Sequence, residues 1–267
     1  TELHFRQPQG ELLTTNLELL DLCHNLGEPS LQLAIAAEGN ASFRIDSDAM
    51  AIKASGSSLL TMQDEDIVEV RLSTLLALLD AEPTDDQIHE AYQSSKIDPD
   101  AGKPSVEAIL HAILYATTNT SVIAHTHPVS INAIGCSNHP ELLVSGSLFP
   151  DAIVMLGSAQ LLIPYTDPGI PLARAVRAGV QEFSDSEGTA PRVIYLANHG
   201  LFVLATSPSE ALQITEMANK NATILLGTLA AGGPNFLSPD HVRRIDSRPD
   251  ELYRRGKLAT DERGSHG

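Results

Sequence analysis

The chain has 267 residues, 42% of them hydrophobic, which suits one large domain or two small ones. Lys and Arg number 17 against 34 Asp and Glu, a net charge of −17 that argues against nucleic-acid binding, which needs a basic face. A small anionic substrate stays open, since backbone N–H groups and a few local cations can hold one phosphate or carboxylate.

No apolar run approaches the roughly 20 residues that cross a bilayer. The first residues, TELHFRQPQGELL, lack a basic segment followed by an apolar one, so no secretory signal is expected. Cys23 and Cys136 are the only cysteines and lie far apart, which is no disulfide framework and fits a reducing, cytoplasmic location.

Residues 17–26 (LELLDLCHNL) carry leucines at helical spacing and stop at Gly27, a suitable helix C-terminal residue. After the small, flexible AAEGNAS, residues 43–45 and 50–53 read as a hairpin around an Asp-Ser-Asp turn. The loop ASGSSLL follows, then a leucine-rich helix over residues 71–79 ended by Pro83. Residues 98–103 (DPDAGK) are loop-like, and Pro104 is placed at the first position of a new helix. Val106, Ile109, Leu110, Ile113 and Leu114 form its buried stripe. Strands are predicted over residues 121–124, 152–156, 161–164, 192–197 and 201–204, and a helix over 172–183. The last long helix opens on a capping box, Ser207-Pro-Ser-Glu210, and runs to about Ala231 before Gly232-Gly233-Pro234. Strands and helices intermix, so a single α/β domain over residues 1–234 is expected. Residues 235–267 form a polar, arginine-containing tail, a candidate to reach a subunit interface.

The chemistry centres on residues 121–128, SVIAHTHP. Side chains two apart on a strand point to the same side, so His125 and His127 form half of a divalent-metal site. Taken alone, such a pair is more often incidental. His199 sits in a tight Asn-His-Gly turn between apolar strands, and Glu107 in the first turn of its helix, where the dipole favours a carboxylate. A solvated glutamate and a loop histidine are the plain readings of each. Together, three neutral imidazoles would leave a divalent ion Lewis-acidic, and a nearby carboxylate could shuttle protons. The remaining histidines, His111 among them, show no mutual spacing and read as incidental, and Lys53 and Lys103 as solvated surface lysines. Gly39-Asn40, Ser55-Gly56 and Lys103-Pro104-Ser105 are short turns rich in N–H and hydroxyl donors.

The order EGNAS, IKASG, KPSVE, HTHP, NHGL resembles the class II aldolase/adducin family over roughly residues 17–231. The resemblance implies a three-layer α/β/α sandwich with a central, mostly antiparallel sheet, and a homotetramer with sites between subunits. It implies Zn²⁺ (or another divalent ion such as Mn²⁺) on His125, His127 and His199, with Glu107 as acid/base. Asn40, Ser55, Gly56 and Ser105 would line the pocket for the substrate's phosphate. Two positions depart: Val106 stands where the phosphate-binding aldolases tend to carry a second serine, and the Lys53-Ala-Ser-Gly loop looks more like aldolase-type domains fused to short-chain dehydrogenases. The implied activity is retro-aldol cleavage of a ketose or ketose phosphate. Epimerisation, dehydration or decarboxylation by the same metal chemistry is the alternative, and an adducin-like binding module without catalysis a further one.

Overall fold

A computed structural model describes residues 9–250. Its frame is a seven-stranded sheet built from β1 (Asn40–Arg44), β2 (Ala49–Lys53), β3 (Ile67–Arg71), β4 (Val122–Thr126), β5 (Leu161–Ile163), β6 (Val193–Leu196) and β7 (Gly200–Ala205). The spatial order is β3-β2-β1-β4-β7-β6-β5, and every pairing is antiparallel except β5 with β6.

The helices are α1 (Gln9–Leu26), α2 (Leu72–Leu76), α3 (Asp85–Ser95), α4 (Ala108–Thr117), α5 (Val129–Gly135), α6 (Pro150–Leu156), α7 (Ile170–Glu187), α8 (Pro208–Ala230) and α9 (Pro239–Asp246). They lie on both faces of the sheet because the strands are apolar on both faces. On β4, Val122 and Ala124 pack into the core beneath α1, α5, α6 and α8, while Ile123 packs into the core with α2, α4 and α7. Leu201 and Val203 of β7 likewise face the first core, and Phe202 and Leu204 the second. That period-2 division, with apolar side chains at both phases, makes a three-layer α/β/α sandwich. Among the described residues no helix is long and apolar enough to cross a membrane.

Several local expectations are corrected. Residues 152–156 are helical, within α6: Pro150 opens it and Gly157, at φ +88, ends it. A five-residue apolar run reads as strand or helix alike, and the flanking Pro and Gly decide. Residues 67–71 form β3, and the helix after it, α2, is only five residues long before a short 3₁₀ turn. Helix α3, opened by a Thr84–Gln87 capping box, is an addition to the expected elements. Pro104 is not the first residue of its helix. It forms a β-bridge with Ala54, and α4 begins at Ala108. Val106 therefore leaves the buried stripe and is 61% exposed, whereas Ile109, Leu110, Ile113 and Leu114 are buried. The capping box at α8 is half formed: Ser207 Oγ accepts from Glu210 N, but the Glu210 carboxylate turns to Thr206 and Arg192.

The expected tail starts at residue 235, and its described part holds α9. Ile245, Val242 and Leu237 pack there against Ile153 and Val154 of α6. Residues 251–267 lie outside the described residues.

Candidate functional site

His125 is the penultimate residue of the central strand β4, and His127 is the first residue after it. His125 lies across from Asn40 of β1 on one side and Phe202 of β7 on the other. The β6–β7 hairpin supplies His199. Its turn, Ala197-Asn198-His199, needs one residue in the left-handed region, and Asn198 takes it at φ +59. Gly200 follows because the hairpin passes close to β4: a Cβ there would lie 2.4 Å from Thr126 O and 2.6 Å from His127 Cδ2.

The three histidines converge. Ring centroids are 4.8 Å apart for His125 and His127, and 5.0 Å for each of these with His199. One ring nitrogen from each falls within 4.8 Å of the others. Glu107 closes the cluster, with Oε2 3.1 Å from His125 Nε2 and Oε1 3.0 Å from His199 Nε2. It is the N-cap residue of α4 rather than part of its first turn. The break at 105–107, where Ala108 N bonds Ser105 O, aims the carboxylate at the histidines instead of along the helix.

The hydrogen bonds around the cluster fix which nitrogens carry protons. His125 Nδ1 lies 2.9 Å from Leu201 O, which only accepts, so Nδ1 is the N–H, and Nε2, 3.1 Å from the Glu107 carboxylate, is the atom left to a cation. His127 Nδ1 lies 3.2 Å from the Glu38 carboxylate, which likewise makes its Nε2 bare. Burial foremost, then the neighbouring imidazoles His125 and His199, push the His127 pKa down to about 4, so this ring is neutral at pH 7. The two bare Nε2 atoms stand 3.0 Å apart, beside a carboxylate. Lone pairs facing lone pairs repel unless a cation lies among them. The donor set therefore fits a divalent ion, with His125, His127 and His199 to hold it. Burial opposes ionisation of Glu107, but positive charge on its His125 and His199 side, where a bound cation would equally stand, outweighs it and holds the carboxyl well below the usual glutamate value.

The predicted pocket residues divide into two groups. Asn40 and Ser105 are in the cluster's immediate surroundings: Asn40 Nδ2 donates to Glu107 Oε2 at 2.8 Å and to Ser105 Oγ at 3.1 Å. Ser55 and Gly56 sit one step away, on a loop tied alongside residues 103–105. Ser55 N bonds Lys103 O at 2.8 Å and Ser105 N bonds Lys53 O at 3.1 Å. Gly56 adopts φ +89, open to glycine without strain. Lys53, expected on the surface, is 2% exposed. Its ammonium is bound by the carbonyls of Ser57 (2.5 Å), Ala54 (3.2 Å) and Ala37 (3.4 Å), under the 54–57 loop. Desolvation lowers its pKa from the ordinary lysine value.

Three participants escape a reading of the sequence. Glu38 directs His127, and it is part of the EGNAS motif, two residues before Asn40. Phe202 stacks on the His125 ring, centroids 4.3 Å apart and planes inclined 20°. His111, incidental by its spacing, is fully buried and bonded to Asn40. Its available signal is position, four residues after Glu107 and so on the same helical face.

The sheet and the site together define an α/β/α protein with a three-imidazole, one-carboxylate cluster suited to a cation, placed where the central strands end. The chain belongs to the class II aldolase and adducin family: the family model of the class II aldolase and adducin N-terminal domain matches residues 17–226. No curated protein matches the sequence significantly. Solved structures share the fold. L-fuculose-1-phosphate aldolase from Thermus thermophilus superposes with a TM-score of 0.60 at 20% identity, covering 85% of this chain and 100% of that one. YgbL from Escherichia coli, described as a candidate aldolase/epimerase/decarboxylase, gives 0.65 at 19% identity over 88% and 98%. A sugar-phosphate aldolase from Thermotoga maritima gives 0.65 at 19%, covering 85% and 99%.

Proposed function

We propose that the protein is a metal-dependent lyase that cleaves a ketose or ketose phosphate by a retro-aldol reaction. The observation that carries this reading is the convergence of the two bare Nε2 atoms of His125 and His127 with His199 and the Glu107 carboxylate. A divalent ion held there, Zn²⁺ or a substitute such as Mn²⁺, supplies Lewis acidity toward the ketose carbonyl and its neighbouring hydroxyl.

This chain's residues supply the rest. Glu107, anionic and aimed at the cluster, is the proton carrier for the carbon left electron-rich when the C–C bond breaks. The hydroxyl carbon on the far side of that bond becomes an aldehyde as its hydroxyl proton passes to the Glu107 carboxylate, which returns that proton to the electron-rich carbon, so that no proton is gained or lost overall. Asn40 holds the carboxylate in place. Asn40, Ser55, Gly56 and Ser105 form a donor-rich edge for the anionic end of the substrate, and the buried charge of Lys53 lies beneath it. The retention of three histidines and Glu107 weighs against an adducin-like scaffold, which needs neither. Family membership supports a homotetramer with sites between subunits, and light scattering that found a fully active monomer would refute that assembly.

The test is metal analysis of the purified protein followed by a panel of ketoses and ketose 1-phosphates assayed for aldehyde release. Stoichiometric divalent metal and aldehyde release from at least one member support the reading. Turnover without aldehyde would move the protein to the epimerase, dehydratase or decarboxylase alternatives, and absence of bound metal would refute the site.

A further inference from the structure

Behind Glu107 runs a ladder of buried polar side chains that alternates between helix α4 and strand β1. Glu107, His111 and Tyr115 are spaced four apart along the helix, and Asn40 and Ser42 two apart along the strand. Four helical residues rise about 6 Å and two strand residues about 6.6 Å, so the two rows stay in step and their side chains interleave. The sequence of contacts is Glu107, Asn40, His111, Ser42, Tyr115. Asn40 Nδ2 bonds Glu107 Oε2 at 2.8 Å, and Asn40 Oδ1 lies 2.5 Å from His111 Nε2. His111 Nδ1 is 2.7 Å from Ser42 Oγ, which is 2.8 Å from Tyr115 OH. His111 and Ser42 are 0% exposed, and Asn40 and Tyr115 are each 2%.

The donor and acceptor roles along this ladder have one consistent assignment when Glu107 is ionised. A carboxylate only accepts, so Asn40 must turn its NH₂ toward Glu107. Its carbonyl oxygen then faces His111, and an amide oxygen also only accepts, so the proton of His111 is on Nε2. A neutral imidazole with Nε2–H presents a bare Nδ1, which the Ser42 hydroxyl satisfies by donating. Tyr115 closes the end: with Ser42's one proton given to His111, the tyrosine hydroxyl donates to Ser42 Oγ at 2.8 Å, with Ser42 O also in reach at 2.9 Å.

We propose that His111 is a positioning residue for the reacting carboxylate: by donating from Nε2 to Asn40 Oδ1 it locks the Asn40 amide with its NH₂ toward Glu107 and Ser105. This rests on the reading of Glu107 as the proton carrier. Without the His111 donor, only Glu107 and Ser105 Oγ hold the Asn40 amide in this orientation, and its flip would set an oxygen against the carboxylate. Burial pushes the His111 pKa down to about 3, consistent with a ring that stays neutral and keeps a single tautomer. The Phe202 ring stands edge-on to His111 (centroids 5.3 Å apart, planes at 74°) and stacks on His125, so it separates this imidazole from the cluster. His111 thus acts through Asn40 and not as a fourth ligand.

The first test needs no activity. In the intact protein labelled with ¹⁵N-histidine, the His111 resonances, assigned by their loss in His111→Gln, should report a protonated Nε2 and a bare Nδ1 at neutral pH. A bare Nε2 overturns the proposal, whatever the protein catalyses. The second test compares His111→Gln, whose amide N–H can replace Nε2–H, with His111→Leu, which cannot donate. Loss of an outer partner of this kind typically costs about 10- to 100-fold. The Leu variant should lose that much kcat with KM little changed and metal retained, while the Gln variant recovers most of it. Equal turnover in the two variants overturns the proposal. If no ketose is cleaved, the aldolase reading fails by itself and the tautomer still decides the orientation of Asn40. The tautomer measurement on the unsubstituted chain also covers the case in which the Leu variant does not fold.

Discussion

Substitution of Gly200 by Ala tests the close approach that builds the centre. The new methyl would stand 2.4 Å from Thr126 O and 2.6 Å from His127 Cδ2, where ordinary contacts are 3.4–4 Å. Relief needs about 1 Å of movement. Thr126 O belongs to the backbone of the central strand and is held by β7 pairing, so much of that movement falls on the His127 ring. Misplacement by about 1 Å can cost about 10²-fold in an aligned site, and overpacking costs about 1–3 kcal/mol of stability. For a domain of this size 1 kcal/mol corresponds to roughly 2–4 °C in Tm, so Tm should fall by about 2–12 °C. Chelator competition gives the metal affinity and calorimetry the Tm, with Gly135→Ala as control. A Cβ at Gly135 meets nothing nearer than 3.9 Å, so that variant should match the parent in both. A Gly200→Ala protein with parental metal affinity and Tm would refute the packing of the hairpin against β4.

Other perturbations separate the roles. Glu107→Gln keeps the shape but cannot carry the proton, so turnover on the identified ketose should fall about 10²- to 10⁴-fold. Metal should remain bound, and unchanged turnover would remove Glu107 from the mechanism. Glu38→Ala deletes the acceptor of His127 Nδ1–H and should weaken metal affinity about 10- to 100-fold; parental affinity by chelator titration would show that the ring needs no such guide. Gly227 lies exposed within α8, and a methyl added there would meet nothing within 4 Å, so Gly227→Ala should raise stability by about 0.4–1 kcal/mol in denaturant titration. His111 is neutral when folded, with its pKa down at about 3 against 6.5 for the free side chain. The unfolded chain therefore binds the extra proton first, so this stability contribution is whole above about pH 6.5 and declines by up to about 1.4 kcal/mol per unit below it. His111→Gln should flatten that part of the stability-versus-pH curve, and an unchanged slope would contradict it.

The sequence discloses the parts of the site that depend on local spacing. His125 and His127 face one way because strand side chains alternate, and that holds whatever surrounds the strand. The hairpin carrying His199 is legible for the same reason, since two apolar runs flank a turn that Asn and Gly favour. The meeting of Asn40, Glu107 and His199 depends on β1 and β7 flanking β4, a long-range pairing that no local pattern encodes. Only the order of five motifs, read as a family resemblance, points to it. The errors are also physical. Residues 152–156 are apolar throughout, so periodicity cannot separate helix from strand, although Pro150 and Gly157 are in place to do so. Pro104 suits a helix start because its missing N–H is harmless there, but a missing N–H is equally harmless at an isolated bridge to Ala54.

His111 shows why residue-by-residue reading undervalues buried polar groups. A single histidine among apolar helix residues has no partner in sequence, and the default is a satisfied core histidine. That default is correct about satisfaction, since both ring nitrogens are bonded. It misses that the satisfying groups come from β1, whose Asn40 is also the partner of Glu107. Each rung has to fix its proton for the next to be satisfied, and an ionised carboxylate at one end sets the direction for all of them. A buried polar chain of this kind costs stability wherever it is incomplete. Its completeness from Glu107 to Tyr115 therefore ties the folding of α4 against β1 to the orientation of the Glu107 carboxylate.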